Sequence, residues 1–189
     1  MLFRIVMMIG MIPRIIIYPE SIQETTIQLD SELYHYLKHV LRLNTDDQLT
    51  VTVHKTCTIQ AKILSINKTR LIIDISKKTD IPPYDGLKLT VIQSLVKGDK
   101  LSTVLNTCTQ AGATSFQIVE TERCVARIKN WEHKQKRLTD VLYSASLQSQ
   151  RSDIPTLSEA CSFEHFLTQF DTADYDLCIL AWEEEKTQT

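Results

Sequence analysis

From Arg14 to Ser76 the pattern of apolar and polar positions is strand-dominated. Ile15, Ile16, Ile17 and Tyr18 form a β-branched and aromatic run stopped by Pro19. Thr25–Leu29 predicts a second short strand, and Gln48–Val53, Thr58–Ile66 and Leu71–Ile75 predict three more, with Asn67-Lys68 as the turn between the last two. Between them Leu33, Leu37, Val40 and Leu41 fall at i, i+4, i+7 and i+8, which predicts a helix capped by Asp30 or Ser31. About five strands around one short helix predict a small, partly closed barrel.

The grammar changes after residue 80. Pro82-Pro83 and Asp85-Gly86 mark a boundary, because proline cannot donate to a ladder and Asp-Gly favours a turn. Leu89–Leu95 then predicts a buried strand. Leu101, Val104, Leu105 and Cys108 mark a helix ended by Gly112, and Phe116–Val119 a further strand. Trp131, Leu138, Val141, Leu142 and Ala145 share one face of a long helix. Phe163, Phe166, Leu167 and Phe170 mark another helix, and Leu177–Trp182 predicts a final buried strand. Such alternation predicts a mostly parallel sheet with helices on its faces. The domain reading is 11–80 for the barrel, 81–87 for a linker and 88–189 for the α/β part. Residues 1–10 precede a second good start at Met11 and are expected to be an upstream start or a disordered extension.

Composition narrows the class without naming a function. The chain has 189 residues, 43% hydrophobic and 23% charged, which is globular and excludes collagen-like and wholly disordered readings. The apolar stretch within Ile5–Ile17 is broken by Gly10, Pro13 and Arg14 and is too short to span a bilayer. The five cysteines are odd in number and never in a C-x-x-C pair, which points to a reducing, cytoplasmic home and against structural zinc. Charge is more telling. Residues 88–151 carry 10 Lys/Arg against 5 Asp/Glu, whereas residues 152–189 carry one base against 9 acids. A basic front and an acidic end confine any polyanion-facing surface to the front.

No complete enzyme motif is present: neither G-x-G-x-x-G, nor G-x-x-x-x-G-K-[ST], nor G-x-S-x-G, nor H-E-x-x-H. His35 and His39 have the i, i+4 spacing of a two-ligand helix, but no third and fourth ligands accompany them, so no metal is expected. Lys134, Lys136 and Arg137, with Arg127 and Lys129 just before, serve equally as a solvated helix face or an RNA-contact face. Glu183-Glu184-Glu185 reads as a solvated strand exit.

Two segments are more specific together. PRIIIYPE (13–20) is followed by HYLKHVLRL (35–43), and VKGDKLSTVLNTCTQAGATSFQIVETERCV (96–125) by LQSQRSDIP (147–155). Their order and spacing resemble the bacterial small-subunit ribosomal RNA uridine-N3-methyltransferase family, the RsmE family, over roughly residues 11–183. Matching positions are Pro13-Arg14, Val40-Leu41-Arg42, Lys97-Gly98-Asp99, Gly112, Thr121-Glu122-Arg123, and Gln148 with Arg151. Departures are Thr107, Gln110 and Ala111 in the family's K-x-x-E-L-G stretch, Leu147-Gln148 for its E-Q pair, and His54-Lys55 for the barrel's usual Asp-Gly turn.

The resemblance implies an α+β chain: an N-terminal PUA-like β-barrel for RNA, then a partial SPOUT-type α/β domain whose trefoil-knot segment is missing. It further implies S-adenosylmethionine as methyl donor, ribosomal RNA of the small ribosomal subunit as partner, and a homodimer. The family's G-P-E-G-G loop and L-G-x-x-x-L-R-x-E-T segment are absent from the 189 residues, so this chain is expected to lack the cofactor pocket, to be inactive alone and to have an unstable α/β part. Methylating uracil N3 requires removal of its proton and a donor for the developing oxyanion. An always-protonated guanidinium suits both that task and phosphate gripping. The candidates for RNA contact are Arg14, Arg42, Lys97, Arg123 and Arg151; no catalytic base is identified. A non-enzymatic RNA-binding module with a decayed methyltransferase remnant, and an α/β scaffold without an RNA role, stay open at this point.

Overall fold

A computed structural model of the chain describes residues 12–181. The expectations for residues 1–10, for Trp182 and for Glu183–Glu185 lie outside them. Six strands form a first sheet: β1 (Arg14–Ile17), β2 (Ile22–Gln23), β3 (Thr26–Gln28), β4 (Gln48–Val53), β5 (Cys57–Ile66) and β6 (Arg70–Asp80). Their order is β1-β4-β5-β6-β3-β2; β1 runs parallel to β4 and every other pair is antiparallel. Alternate residues of all the longer strands meet in one core: Ile15 and Ile17, Ile27, Leu49, Val51 and Val53, Ile59, Ala61 and Ile63, Leu71 and Ile73. One core shared by strands from both edges requires the sheet to curl. Register shifts at Gln60/Ala61 and Ile63/Ser65 between β5 and β6 supply part of the bend.

The Asn67 carboxamide accepts from the amides of Thr69 (3.0 Å) and Arg70 (2.9 Å), an Asx-type turn that closes the β5–β6 hairpin where the sequence places it. Helix α1 (Ser31–His35) is capped by Asp30, whose carboxylate accepts from Leu33 N at 2.7 Å. The helix then widens into a π-helical turn over Tyr36–Val40, a departure that the 3.6-residue apolar spacing does not reveal. Leu37 and Leu43 plug the open side of the curled sheet.

Residues 82–89 join no sheet. Beyond them β7 (Thr90–Ser94), α2 (Lys100–Gln110), β8 (Ser115–Glu120) and α3 (Trp131–Gln148) alternate, followed by a broken strand, β9 (Thr156–Leu157) and β10 (Cys161–Ser162), and then α4 (Phe163–Gln169). The strands are parallel, in the order β7-β8-(β9, β10), with β9 and β10 on successive stretches of the same edge of β8. Two crossovers in one direction put both helices on one face. Leu101 and Leu105 of α2 and Leu138 and Leu142 of α3 pack there on Phe116 and Ile118 of β8. The other face carries Thr90 and Ser115, whose hydroxyls meet at 2.7 Å, together with Ile92 and Gln117. Gly112, at φ 107°, ends α2 in the left-handed conformation that glycine takes without penalty.

The expected buried strand at Leu177–Trp182 is not found. Leu177–Ala181 pairs with no strand among the described residues, and Leu180 is 87% exposed. Apolar β-prone composition marks a segment able to form a strand, but a strand also needs an edge to pair with. Just before it, Phe163, Phe166, Phe170 and Tyr175 stack on one another at centroid distances of 5.0–6.2 Å instead of entering the core.

Candidate functional site

The three parallel strand positions deliver their following loops to one end of the sheet, where open α/β sheets bind ligands. After β7 come Lys97, Gly98 (φ 69°) and Asp99; after β8, Thr121-Glu122-Arg123; after β10, the start of α4. Glu120 anchors this end. Its carboxylate accepts from Ile128 N at 2.6 Å and from Arg127 Nη1 at 3.1 Å. The Ile128 amide first, and Arg127 after it, hold the Glu120 carboxyl below the usual carboxylate range. The loop is thereby folded back onto the strand it leaves. Cys124 N donates to Thr121 O at 3.0 Å and Thr121 N to the Cys124 sulfur at 3.3 Å, so the thiol turns inward and Arg123 stands exposed on the turn. An open cleft of about 280 Å³ lies here, lined by Glu120, Thr121, Glu122, Arg127, Ser162 and Glu164.

These residues do not fit S-adenosylmethionine as a whole. Cofactor sites are largely apolar and of roughly 300–1,000 Å³. This cleft has three carboxylates and no aliphatic or aromatic wall for a base. The His35 and His39 rings lie 4.9 Å apart, and among the described residues no group of three or more His, Cys, Asp or Glu is placed to hold a metal ion.

Arg42 belongs to a different surface. The π-helical turn is closed by Leu41 N donating to Tyr36 O at 2.9 Å, after which Arg42 adopts φ 57° and Leu43 returns to the core. A left-handed non-glycine residue costs roughly 1–2 kcal/mol. Lys38 Nζ holds the reversal by donating to Leu43 O (3.0 Å) and Asn44 Oδ1 (2.9 Å). Arg42 is therefore carried on an exposed corner; His35 and His39, on the helical turns that precede it, are exposed as well.

Arg14 and Arg151 are brought together, and both face inward. Arg14 donates through Nε to Thr52 Oγ1 (3.0 Å), through Nη1 to Gln150 O (3.1 Å) and through Nη2 to Arg151 O (3.1 Å). The Arg151 side chain points the other way. It donates to Thr109 O (2.8 Å) and Ala113 O (2.9 Å) at the end of α2, and forms a two-pronged pair with Asp153, both prongs at 3.0 Å. Five residues that the sequence offers as one set thus occupy three places: Lys97 and Arg123 at the strand ends, Arg42 on the curled sheet's corner, and Arg14 with Arg151 between the sheets. Sequence reasoning missed Glu120 and Tyr143, and named His54 only as a departure at the barrel turn. Tyr143 had a visible signal, an aromatic side chain on α3 outside the apolar stripe; its hydroxyl accepts from Ile16 N at 3.2 Å.

Comparison with known proteins adds relatives to this geometry. A family model described as an RNA methyltransferase domain matches residues 83–189, more than half of the chain, and one described as an RNA methyltransferase PUA domain matches residues 29–76. The ribosomal RNA small subunit methyltransferase E of Rickettsia conorii is 30% identical over 176 residues, covering 93% of this chain and 68% of the relative. That of Bacillus subtilis is 26% identical over 172 residues, covering 89% of this chain and 66% of the relative. The crystal structure of the Neisseria gonorrhoeae protein of that name, bound to S-adenosylmethionine, superposes with a TM-score of 0.72 at 23% identity, covering 86% of this chain and 67% of that one. The chain therefore spans about two thirds of the length of these relatives.

Proposed function

The chain belongs to the RNA methyltransferase family that includes the ribosomal RNA small subunit methyltransferase E proteins, and on that premise we propose that it serves S-adenosylmethionine-dependent methylation of uridine N3 in small-subunit ribosomal RNA. In this reading residues 11–80 are the PUA-like, RNA-gripping unit, 81–87 the linker, and 88–189 part of a SPOUT-type methyltransferase domain that works as a homodimer in the cytoplasm. The observation that carries the proposal is the placement of Lys97 and Arg123 on loops leaving the same ends of adjacent parallel strands, at the end of the sheet that also carries the Glu120 cleft. Two cations there suit the phosphates flanking a target base, and Arg42 on the curled sheet supplies a second grip further along the RNA. Arg14 and Arg151 contribute by holding the two sheets rather than by reaching outward. The cofactor supplies the methyl group; the described residues bind and orient RNA.

The 189 residues contain four glycines, at 10, 86, 98 and 112, so no glycine-rich turn follows β10 within them. This chain by itself is accordingly proposed to bind RNA without forming the complete cofactor pocket. Mass spectrometry of small-subunit RNA tests the function: N3-methyluridine should disappear when the gene is deleted and return when the full reading frame is restored. Unchanged N3-methyluridine after deletion overturns the proposal. For the chain alone, isothermal titration with S-adenosylmethionine should give no micromolar binding.

A further inference from the structure

Ile16 and Thr52 are register partners on the parallel pair β1–β4, on the face of the curled sheet that points away from its own core. They are nevertheless 4% and 0% exposed. What buries them is the C-terminal half of α3 and the loop after it. Tyr143 of α3 accepts from Ile16 N, and its buried hydroxyl is pushed up to about 12 by desolvation, so it stays a neutral hydrogen-bonding group. The loop presents successive backbone groups to the sheet: Gln150 O and Arg151 O accept from Arg14, Ser152 O accepts from Lys55 N at 2.9 Å, and Ile154 N donates to His54 Nδ1 at 3.4 Å. In extended chain successive carbonyls point to opposite sides. Gln150, at φ 56°, breaks that alternation and lets two of them converge on one guanidinium. Meanwhile the Arg151 side chain fastens the same loop to the end of α2.

We propose that Arg14 is a positioning residue: its planar fork, held between Thr52 on the curled sheet and the 150–151 carbonyls beyond α3, fixes the orientation of the curled sheet against the parallel sheet. Only a guanidinium has donors spread widely enough in one plane to serve all three acceptors; an ammonium on the same stem is a point charge and reaches fewer. The consequence for RNA, which rests on the function proposed above, is a fixed separation between Arg42 and the Lys97–Arg123 pair. An RNA held at both places gains from that preorganisation and loses it when the sheets move independently.

The test compares Arg14→Gln, Arg14→Lys and Tyr143→Phe in the 189-residue chain by small-angle scattering and by unfolding followed with tryptophan fluorescence and far-ultraviolet circular dichroism. The wild type should be compact, with the two unfolding signals coincident. Both Arg14 variants should enlarge the maximum dimension and separate the two transitions, with Arg14→Lys failing to rescue, and Tyr143→Phe should show a milder form of the same change. Binding to a small-subunit RNA fragment gives an independent readout: Arg14→Gln should weaken it about tenfold or more with an unchanged salt slope, because no phosphate contact is lost. Scattering and coincident transitions unaffected by Arg14→Gln overturn the proposal. So does a salt slope reduced by about one and restored by lysine, which would make Arg14 a phosphate contact. If the wild-type chain binds no RNA, the functional reading fails, while the scattering result still decides the clamp.

Discussion

The curled sheet and the parallel sheet are stabilised in different ways. Among the described residues the curled sheet gathers fifteen buried side chains into one core that its strands and the turn at Leu37–Leu43 enclose almost completely. The parallel sheet gathers nine, all on the face under α2 and α3, and its opposite face shows Thr90, Ser115, Gln117 and a half-exposed Ile92. At roughly 1.5–3 kcal/mol for each large side chain fully buried, the first core has the wider margin. The difference teaches that the parallel sheet leans on its neighbour. Its α3 helix is held at Tyr143 and in the following loop by groups of β1 and the β4–β5 turn.

The strongest way to break this comparison is to empty each core in turn. Phe116→Ala removes the largest fully buried side chain of the parallel sheet and should cost about 3–5 kcal/mol. Against a domain margin of ~5–15 kcal/mol that consumes most of the lower end of the range and should leave the one-faced sheet marginal. Leu49→Ala in the curled sheet should cost about 2–5 kcal/mol and leave the fold standing. Both tryptophans, at 131 and 182, lie after β8, so fluorescence follows the second half of the chain while amide exchange in β5 follows the first. If Phe116→Ala leaves fluorescence and exchange unchanged, the parallel sheet is no weaker than its neighbour.

A smaller effect is expected at Arg151. Its side chain is 14% exposed and serves two carbonyls and one carboxylate. Hydrogen bonds to a charged group are worth roughly 1.5–3 kcal/mol, and removing the donor leaves Thr109 O and Ala113 O short of a partner. Arg151→Ala should therefore cost about 2–3 kcal/mol by urea unfolding, and Arg151→Lys should recover less than half. Exposed Arg42→Ala should change stability by under about 0.5 kcal/mol, and that contrast separates an arginine that builds the fold from one free to meet a ligand.

How much of this was legible beforehand follows from the range of each interaction. β4 at Gln48–Val53 and the Asp30 cap stand where the sequence predicts them, because alternation and capping act within a few residues. The π-helical turn and Arg42's left-handed φ were hidden, since one inserted residue barely disturbs an apolar stripe. β9 and β10 were missed for a related reason: two-residue strands have no period. The outlying segment at Leu177 shows the reverse error, a strand-like composition without a pairing edge. Of the candidate cations, residue type marked all five, but that Arg14 and Arg151 face inward depends on acceptors distant in the chain, Gln150 O for Arg14 and Thr109 O for Arg151.

Acid should loosen the join between the sheets before it touches either core. Burial first, and then Lys55, lower the His54 imidazole's affinity for protons, while Asp153 and Glu20 act in the opposite direction. A histidine that is harder to protonate when folded leaves stability intact above its unfolded value of about 6.5. As pH falls below that value, the unfolded chain takes up the proton first and stability declines. The protonated ring also loses the Nδ1 acceptor that faces Ile154 N, at a cost of roughly 1 kcal/mol. Urea midpoints at pH 7.5 and 5.5 should differ in the wild type, and the part of the difference due to His54 should vanish in His54→Asn. An unaltered pH step in that variant would assign it to other groups.

The smallest effect sharpens the comparison from the other side, because it should strengthen one sheet and leave the join untouched. The β4–β5 turn is closed by Thr56 N donating to Val53 O at 2.9 Å, and Lys55 within it sits at φ 55°. A side chain in that conformation brings Cβ against the following carbonyl, a penalty of roughly 1 kcal/mol that glycine escapes. Glycine returns part of the gain through the greater freedom of the unfolded chain. Lys55→Gly keeps the amide that donates to Ser152 O, so the interface bond survives the substitution. The net expectation is a stabilisation of about 0.5 kcal/mol, read as a small rise in the exchange protection of β5 with no change in scattering dimensions. A fall in stability would mean that the lysine's stem contributes packing that its exposed position does not reveal.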